Sequence, residues 1–276
     1  MAQPRSHYGP HFIHDRFTNT TSSNTQTYWS RKDPDRLFIF IHGFKGDALK
    51  TWNNFPQYIG INKEFSSADI IFYGYDSLFT QVANSGLSFC EFIESFTKSN
   101  WELIPDSFAK SRKKEIRYND ITIISHSLGA LVCRQALIEG KMRQYIWYEK
   151  TRMVLYAPAH HGNRLQSKLK AAFAKFGMIA DCILAGMETR IVTLDDLDPK
   201  SIIIAQQKDA VNEACRKDDR SLCARAVFWC PTDLVVLNAP YGQDPPAMHI
   251  DQCNHLSICK PSSNNLEPLD KLRMHL

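Results

Sequence analysis

Ile121-Thr122-Ile123-Ile124-Ser125-His126-Ser127-Leu128-Gly129-Ala130 is the stretch that decides the fold. Four β-branched residues form an apolar run, a serine follows among small residues, and a helix-forming segment begins at Leu128. A strand that turns sharply into a helix presents the residue at the turn, and a serine there has the outline of a nucleophile elbow. The tight turn brings together the side chains two before and two after the nucleophile, so both must be small. Here they are Ser125 and Gly129. Glycine is the usual residue at both, which makes Ser125 a mild departure. Ser125 is itself a poor nucleophile candidate, because Ser127 rather than glycine stands two residues after it. The pattern predicts a serine hydrolase.

Four further apolar runs, at 37–41, 69–73, 153–156 and 226–229, read as strands buried on both faces. Helical spacing predicts helices over 87–96, 101–108, 128–138, 206–216 and 266–276. Strands alternating with helices predict right-handed crossovers and a mostly parallel sheet, with the site beyond the carboxyl ends of its strands. Residues 1–35 are polar and rich in Thr, Asn and Ser, and read as a leader or an edge element of weak order before one domain at 36–276.

A serine hydroxyl is a weak nucleophile at neutral pH; it needs a base within hydrogen-bond reach, oriented by a carboxylate. An elbow of this kind precedes the acid, and the acid precedes the histidine, along the chain. Phe228-Trp229-Cys230-Pro231-Thr232-Asp233 places Asp233 just past a strand, and Cys253-Asn254-His255-Leu256 places His255 in a loop. Asp233 is the expected acid, with Asp195, Asp196 and Asp198 as fallbacks. His255 is the expected base, with His249 as its competitor. The oxyanion needs two preorganised N–H donors. Leu128, after the nucleophile, supplies one. Phe44 is assigned as the other, in the loop His42-Gly43-Phe44-Lys45-Gly46. A phosphate loop is excluded there, because Leu49 rather than glycine precedes Lys50. His42 and Gly43, with Pro158 and His161 from the stretch 156–162, are the expected pocket residues, His42 chiefly supporting its loop.

The chain has 276 residues, is 43% hydrophobic and carries a net charge of +4, enough for one large core and too little charge to argue for nucleic acid. No apolar run reaches the length of a membrane span. Residues 1–10 hold no apolar signal core, and none of the eight cysteines forms a Cys-x-x-Cys pair, so a cytoplasmic protein with reduced thiols is expected. The histidines and cysteines match no zinc spacing, and neither a metal nor a cofactor is expected.

The loop His42-Gly43-Phe44 with Gly46 and the later Thr51-Trp52, the elbow from Ser125 to Gly129, the stretch from Pro158 to Gly162, Asp233 and His255 together resemble the α/β-hydrolase superfamily. Within it the chain is similar to lipase-like serine esterases of the PGAP1-like and serine-active-site-containing kind, over roughly residues 36–262. The resemblance implies an α/β-hydrolase fold with Ser127 as nucleophile, Asp233 as acid, His255 as base, and the 158–162 stretch lining the pocket. The N-terminal strands usual in the superfamily are hard to see before Arg36, so a sheet shortened at that edge is expected. Residues 165–187 carry apolar residues at three- to four-residue spacing among lysines, predicting a helical cap or lid around 164–200 that covers the pocket and contacts a membrane surface peripherally. An apolar cap favours an acyl ester, lipid-like in character, as the substrate. An acyl-protein or acyl-CoA thioesterase is the variant within the same chemistry. A partner-gated or inactive interaction module, excised from a larger multidomain signalling protein, is the alternative from another class.

Overall fold

The computed structural model describes residues 12–16, 24–103, 117–162 and 192–276. The five apolar runs are central strands of one sheet: β3 (Arg36–Ile41), β4 (Ala68–Tyr73), β5 (Asp120–His126), β6 (Thr151–Tyr156) and β7 (Ala224–Trp229). They pair in parallel in the order β4-β3-β5-β6-β7. In β3 every residue from Leu37 to Ile41 is buried, because Leu37, Ile39 and Ile41 cover one face and Phe38 and Phe40 the other. Continuous apolar sequence is what a strand covered by helices on both faces requires. Burying each such side chain contributes roughly 1.5–3 kcal/mol.

The crossovers are carried by α1 (Phe55–Ile61), α2 (Val82–Leu103), α3 (Gly129–Met142) and, later, α6 (Ile202–Arg216). A short α4 (Ile146–Glu149) precedes β6, α5 (Val192–Asp196) precedes α6, and α7 (Glu267–Arg273) lies near the C-terminus. Strand β8 (Met248–His249) adds to β7 in parallel. On one face Phe40 stacks on Phe72 at 4.7 Å and meets Trp52 edge-on at 5.0 Å, with Phe55 and Tyr156 beside them. On the other, Trp29 stacks on Phe96 at 5.5 Å. This is the α/β-hydrolase architecture, with a mostly parallel sheet flanked by helices.

The expected shortening of the sheet before Arg36 is not found. Residues expected as a leader or edge element form β1 (Phe12–Arg16) and β2 (Gln26–Ser30), with β2 antiparallel to both β1 and β4, and complete eight strands in the order β1-β2-β4-β3-β5-β6-β7-β8. Polar composition hid them. Burial here is made tolerable by internal partners, which buried polar groups need. The Asp69 carboxylate, fully buried, accepts from Ser30 N at 2.9 Å and from the Tyr118 hydroxyl at 2.7 Å. Thr25 Oγ1 accepts from Gly74 N at 3.0 Å.

Most of the cap expected over 164–200 lies outside the described residues. The described part of that range holds α5 and the turn after it, where Thr193 Oγ1 donates to the Leu78 and Thr80 carbonyls at 3.0 and 3.1 Å. The helix predicted at 101–108 is described only as far as the end of α2, and 104–108 also lie outside.

Candidate active site

Ser127 sits between β5 and α3 with φ +53°, in the left-handed region that costs a non-glycine residue roughly 1–2 kcal/mol. Three backbone bonds hold it there. Its N–H donates to the Tyr156 carbonyl at 3.0 Å, and its own carbonyl accepts from Ala130 N at 3.1 Å and Ala159 N at 3.2 Å. The need for small neighbours is strict at Gly129, where a Cβ would meet the His42 carbonyl oxygen at 2.6 Å. A Cβ on Gly43 would meet the Ser127 Cβ at 2.9 Å, so the 42–46 loop lies directly against the serine. At Ser125 the extra hydroxyl is fully buried and finds no partner among the described residues, yet the turn closes around it.

Beyond the ends of β7 and β8, two loops bring Asp233 and His255 to this serine. His255 Nε2 lies 3.0 Å from Ser127 Oγ, and His255 Nδ1 lies 2.8 Å from Asp233 Oδ2. The carboxylate is fully enclosed, and its other oxygen accepts from Val235 N at 2.7 Å and Val236 N at 3.2 Å. Such a chain can hold the imidazole with a proton on Nδ1 and a free pair on Nε2 facing the hydroxyl, the arrangement a base needs. The competitors are elsewhere. His249 is exposed on β8. Asp196 accepts from Val82 N at 2.7 Å at the start of α2, and Asp198 accepts from Lys200 N at 2.8 Å.

Among the described residues the Leu128 N–H, at the start of α3, meets no acceptor and is available to an oxyanion. The 42–46 loop turns tightly through Lys45, at φ +51°, and closes with Gly46 N donating to the Gly43 carbonyl at 3.0 Å. Phe44, half-buried, stands at the apex. His42 anchors the loop from beneath. Its Nδ1 donates to the Gly43 carbonyl at 2.9 Å, its Nε2 accepts from Tyr75 N at 3.3 Å, and its ring stacks on Tyr75 at 4.4 Å. Pro158 is buried just past β6, while His161 is half-buried with Nε2 donating to the Ala239 carbonyl at 3.1 Å. Among the described residues no group of three His, Cys, Asp or Glu side chains is placed to hold a metal ion.

Three contributors were not read from the sequence. Tyr75 has no motif to announce it. His126, inside the elbow, donates from Nε2 to the His255 carbonyl at 2.8 Å. Arg134 on α3 is fully buried, ion-paired with Asp244 and lying 4.5 Å over the Tyr241 ring, which in turn stacks on His160 at 4.3 Å. A buried arginine in a helix reads as a surface residue until its partner is seen.

Burial pushes the His42 imidazole down to about 4. It pushes His126 down to about 3, with the nearby His255 adding to the effect. Both therefore bind protons more readily unfolded than folded. The stability they allow is intact above about 6.5 and falls as pH drops toward 4. At pH 5 each ring is expected to cost about 2 kcal/mol relative to neutral pH. Urea unfolding at pH 7 and pH 5 checks this, and replacing His42 with Gln should remove about half of the dependence, leaving the part due to His126.

Residues 31–160 match the family described as "Putative serine esterase (DUF676)". That span contains the loop at 42–46, the elbow and the 156–160 stretch. The chain has the α/β-hydrolase fold. The match, together with this fold, supports a carboxylic ester hydrolase. Solved structures agree on the fold. The mature Bacillus licheniformis lipase BlEst2 superposes with TM-score 0.51 at 14% identity, over 97% of this chain and 99% of that one. The Lactobacillus rhamnosis esterase B, inhibited by a tributyrin phosphonate, gives TM-score 0.55 at 12% identity, over 97% and 86%. A lipase-esterase related protein from Clostridium acetobutylicum gives 0.50 at 11%, over 96% and 99%. Comparison with curated proteins finds no match.

Proposed function

We propose that this α/β-hydrolase cleaves an acyl ester of lipid-like character through a Ser127-His255-Asp233 triad and an acyl-enzyme. The observation that carries the reading is the unbroken hydrogen-bond chain from Asp233 through His255 to a serine held at a left-handed turn. In this mechanism His255 Nε2 takes the Ser127 proton as Oγ attacks the ester carbonyl carbon. The Leu128 and Phe44 N–H groups receive the oxyanion, and His255 returns the proton to the leaving alcohol. Water, deprotonated by the same imidazole, then releases the acid. Asp233 orients His255 and stabilises its charged form without itself being protonated.

The lipid-like character is supported by apolar side chains beside the catalytic loops. Leu234 next to Asp233 is 81% exposed, and Leu256 next to His255 is 42% exposed. The Lactobacillus rhamnosis esterase B of the same fold is inhibited by a tributyrin phosphonate, which is in keeping with this reading. A series of p-nitrophenyl esters from acetate to palmitate tests the reading. Turnover is expected to rise from acetate toward medium chains. A preference for acetate alone would remove the lipid-like part, and no turnover at any length would remove the ester reading.

A further inference from the structure

We infer that His126 is a positioning residue for the catalytic base, its imidazole N–H pinning the loop that carries His255. The inference rests on the triad proposed above.

The base loop has no regular secondary structure around His255, so its backbone must be fixed by other contacts. From the acid side, Thr232 Oγ1 and Cys230 Sγ each reach the Cys253 carbonyl at 2.7 Å, two residues before the base. Within the loop, the Asn254 side chain accepts from Leu256 N at 2.9 Å and Ser257 N at 3.1 Å. From the nucleophile side, besides the Ser127 hydroxyl at the base's own Nε2, His126 Nε2 donates to the His255 carbonyl at 2.8 Å, with the two rings 5.0 Å apart. It grips the base residue itself. A carbonyl can only accept, so the proton resides on His126 Nε2.

The ring also has a second neighbour. A Cβ on Gly43 would meet His126 Nδ1 at 3.1 Å, so the imidazole stands between the oxyanion loop and the base loop. His126 is the last residue of β5 and pairs in register with Tyr156, whose carbonyl holds the Ser127 N–H. One rigid strand end therefore sets the nucleophile and, through the next side chain, the base. Burial disfavours a second proton on the ring, leaving Nδ1 without one while Nε2 donates. Misplacing a reacting group by about 1 Å costs roughly 10²-fold in rate.

The test compares His126→Phe, which fills the space without a donor, His126→Gln, whose amide N–H lies near the Nε2 position, and His126→Asn, whose amide falls short of the carbonyl. On an ester the wild type accepts, Phe and Asn are expected to lower kcat about 10²-fold with KM held within about twofold. Gln is expected to recover most of the loss. The downfield NMR signal of the proton shared by His255 and Asp233 should weaken in Phe and Asn and return in Gln. If Phe fails to fold, the Asn and Gln pair carries the comparison. Wild-type kcat in Phe or Asn overturns the inference, as does equal loss in Gln. Failure of the triad itself would instead appear as turnover surviving Ser127→Ala.

Discussion

Ser127→Ala is expected to lower kcat about 10⁶-fold, the scale on which losing the nucleophile of a Ser-His-Asp triad acts. The covalent route depends on this one hydroxyl: it is Ser127 Oγ that His255 Nε2 reaches, while the nearby Ser125 is fully buried on the strand. Alanine suits the site structurally. It keeps the Cβ that packs near Gly43 and leaves the backbone bonds to Tyr156, Ala130 and Ala159 intact. Circular dichroism and thermal melting should therefore match the wild type while ester turnover disappears. Substantial turnover in a folded Ser127→Ala protein would place the chemistry elsewhere.

Asp233→Asn is expected to cost about 10⁴-fold in kcat, with the loop still in place. Oδ1 accepts two backbone N–H bonds and Oδ2 accepts from His255 Nδ1, so the residue makes three bonds as an acceptor. If the amide keeps its oxygen toward Val235 and Val236, its NH₂ faces Nδ1. The imidazole then carries its proton on Nε2, the tautomer that cannot take one from Ser127. His255→Ala is expected to fall further, to about 10⁶-fold, while His249→Ala, on an exposed edge strand, should stay within about twofold. Steady-state kinetics on the three variants read these differences directly. A larger loss from His249→Ala than from His255→Ala would move the base.

What was legible in the sequence follows from how strongly each feature constrains residue types. Strands covered on both faces must be apolar throughout, so β3 to β7 stand out as uninterrupted runs. The elbow is legible because steric closure demands small residues, above all at Gly129. Asp233 and His255 are found by their position after strands in the required chain order. The edge strands are not legible. Ser30 N donates to Asp69 and Gly74 N to Thr25 Oγ1 between the β2 and β4 segments, and such polar pairing leaves no hydrophobic alternation to read. The two-residue β8 is too short to carry a pattern. Supporting groups are hidden for a related reason. Tyr75, His126 and Arg134 act through partners between 33 and 129 residues away in sequence, and neither period nor motif links residues so far apart.

Covalent labelling by a fluorophosphonate tests the central claim most directly, because it reads the activated serine without knowledge of the natural ester. One adduct per chain is expected, mapped by mass spectrometry to the peptide containing Ser127, absent in Ser127→Ala and His255→Ala, and near normal in His249→Ala. An adduct on any other residue, or labelling that persists in Ser127→Ala, would contradict it.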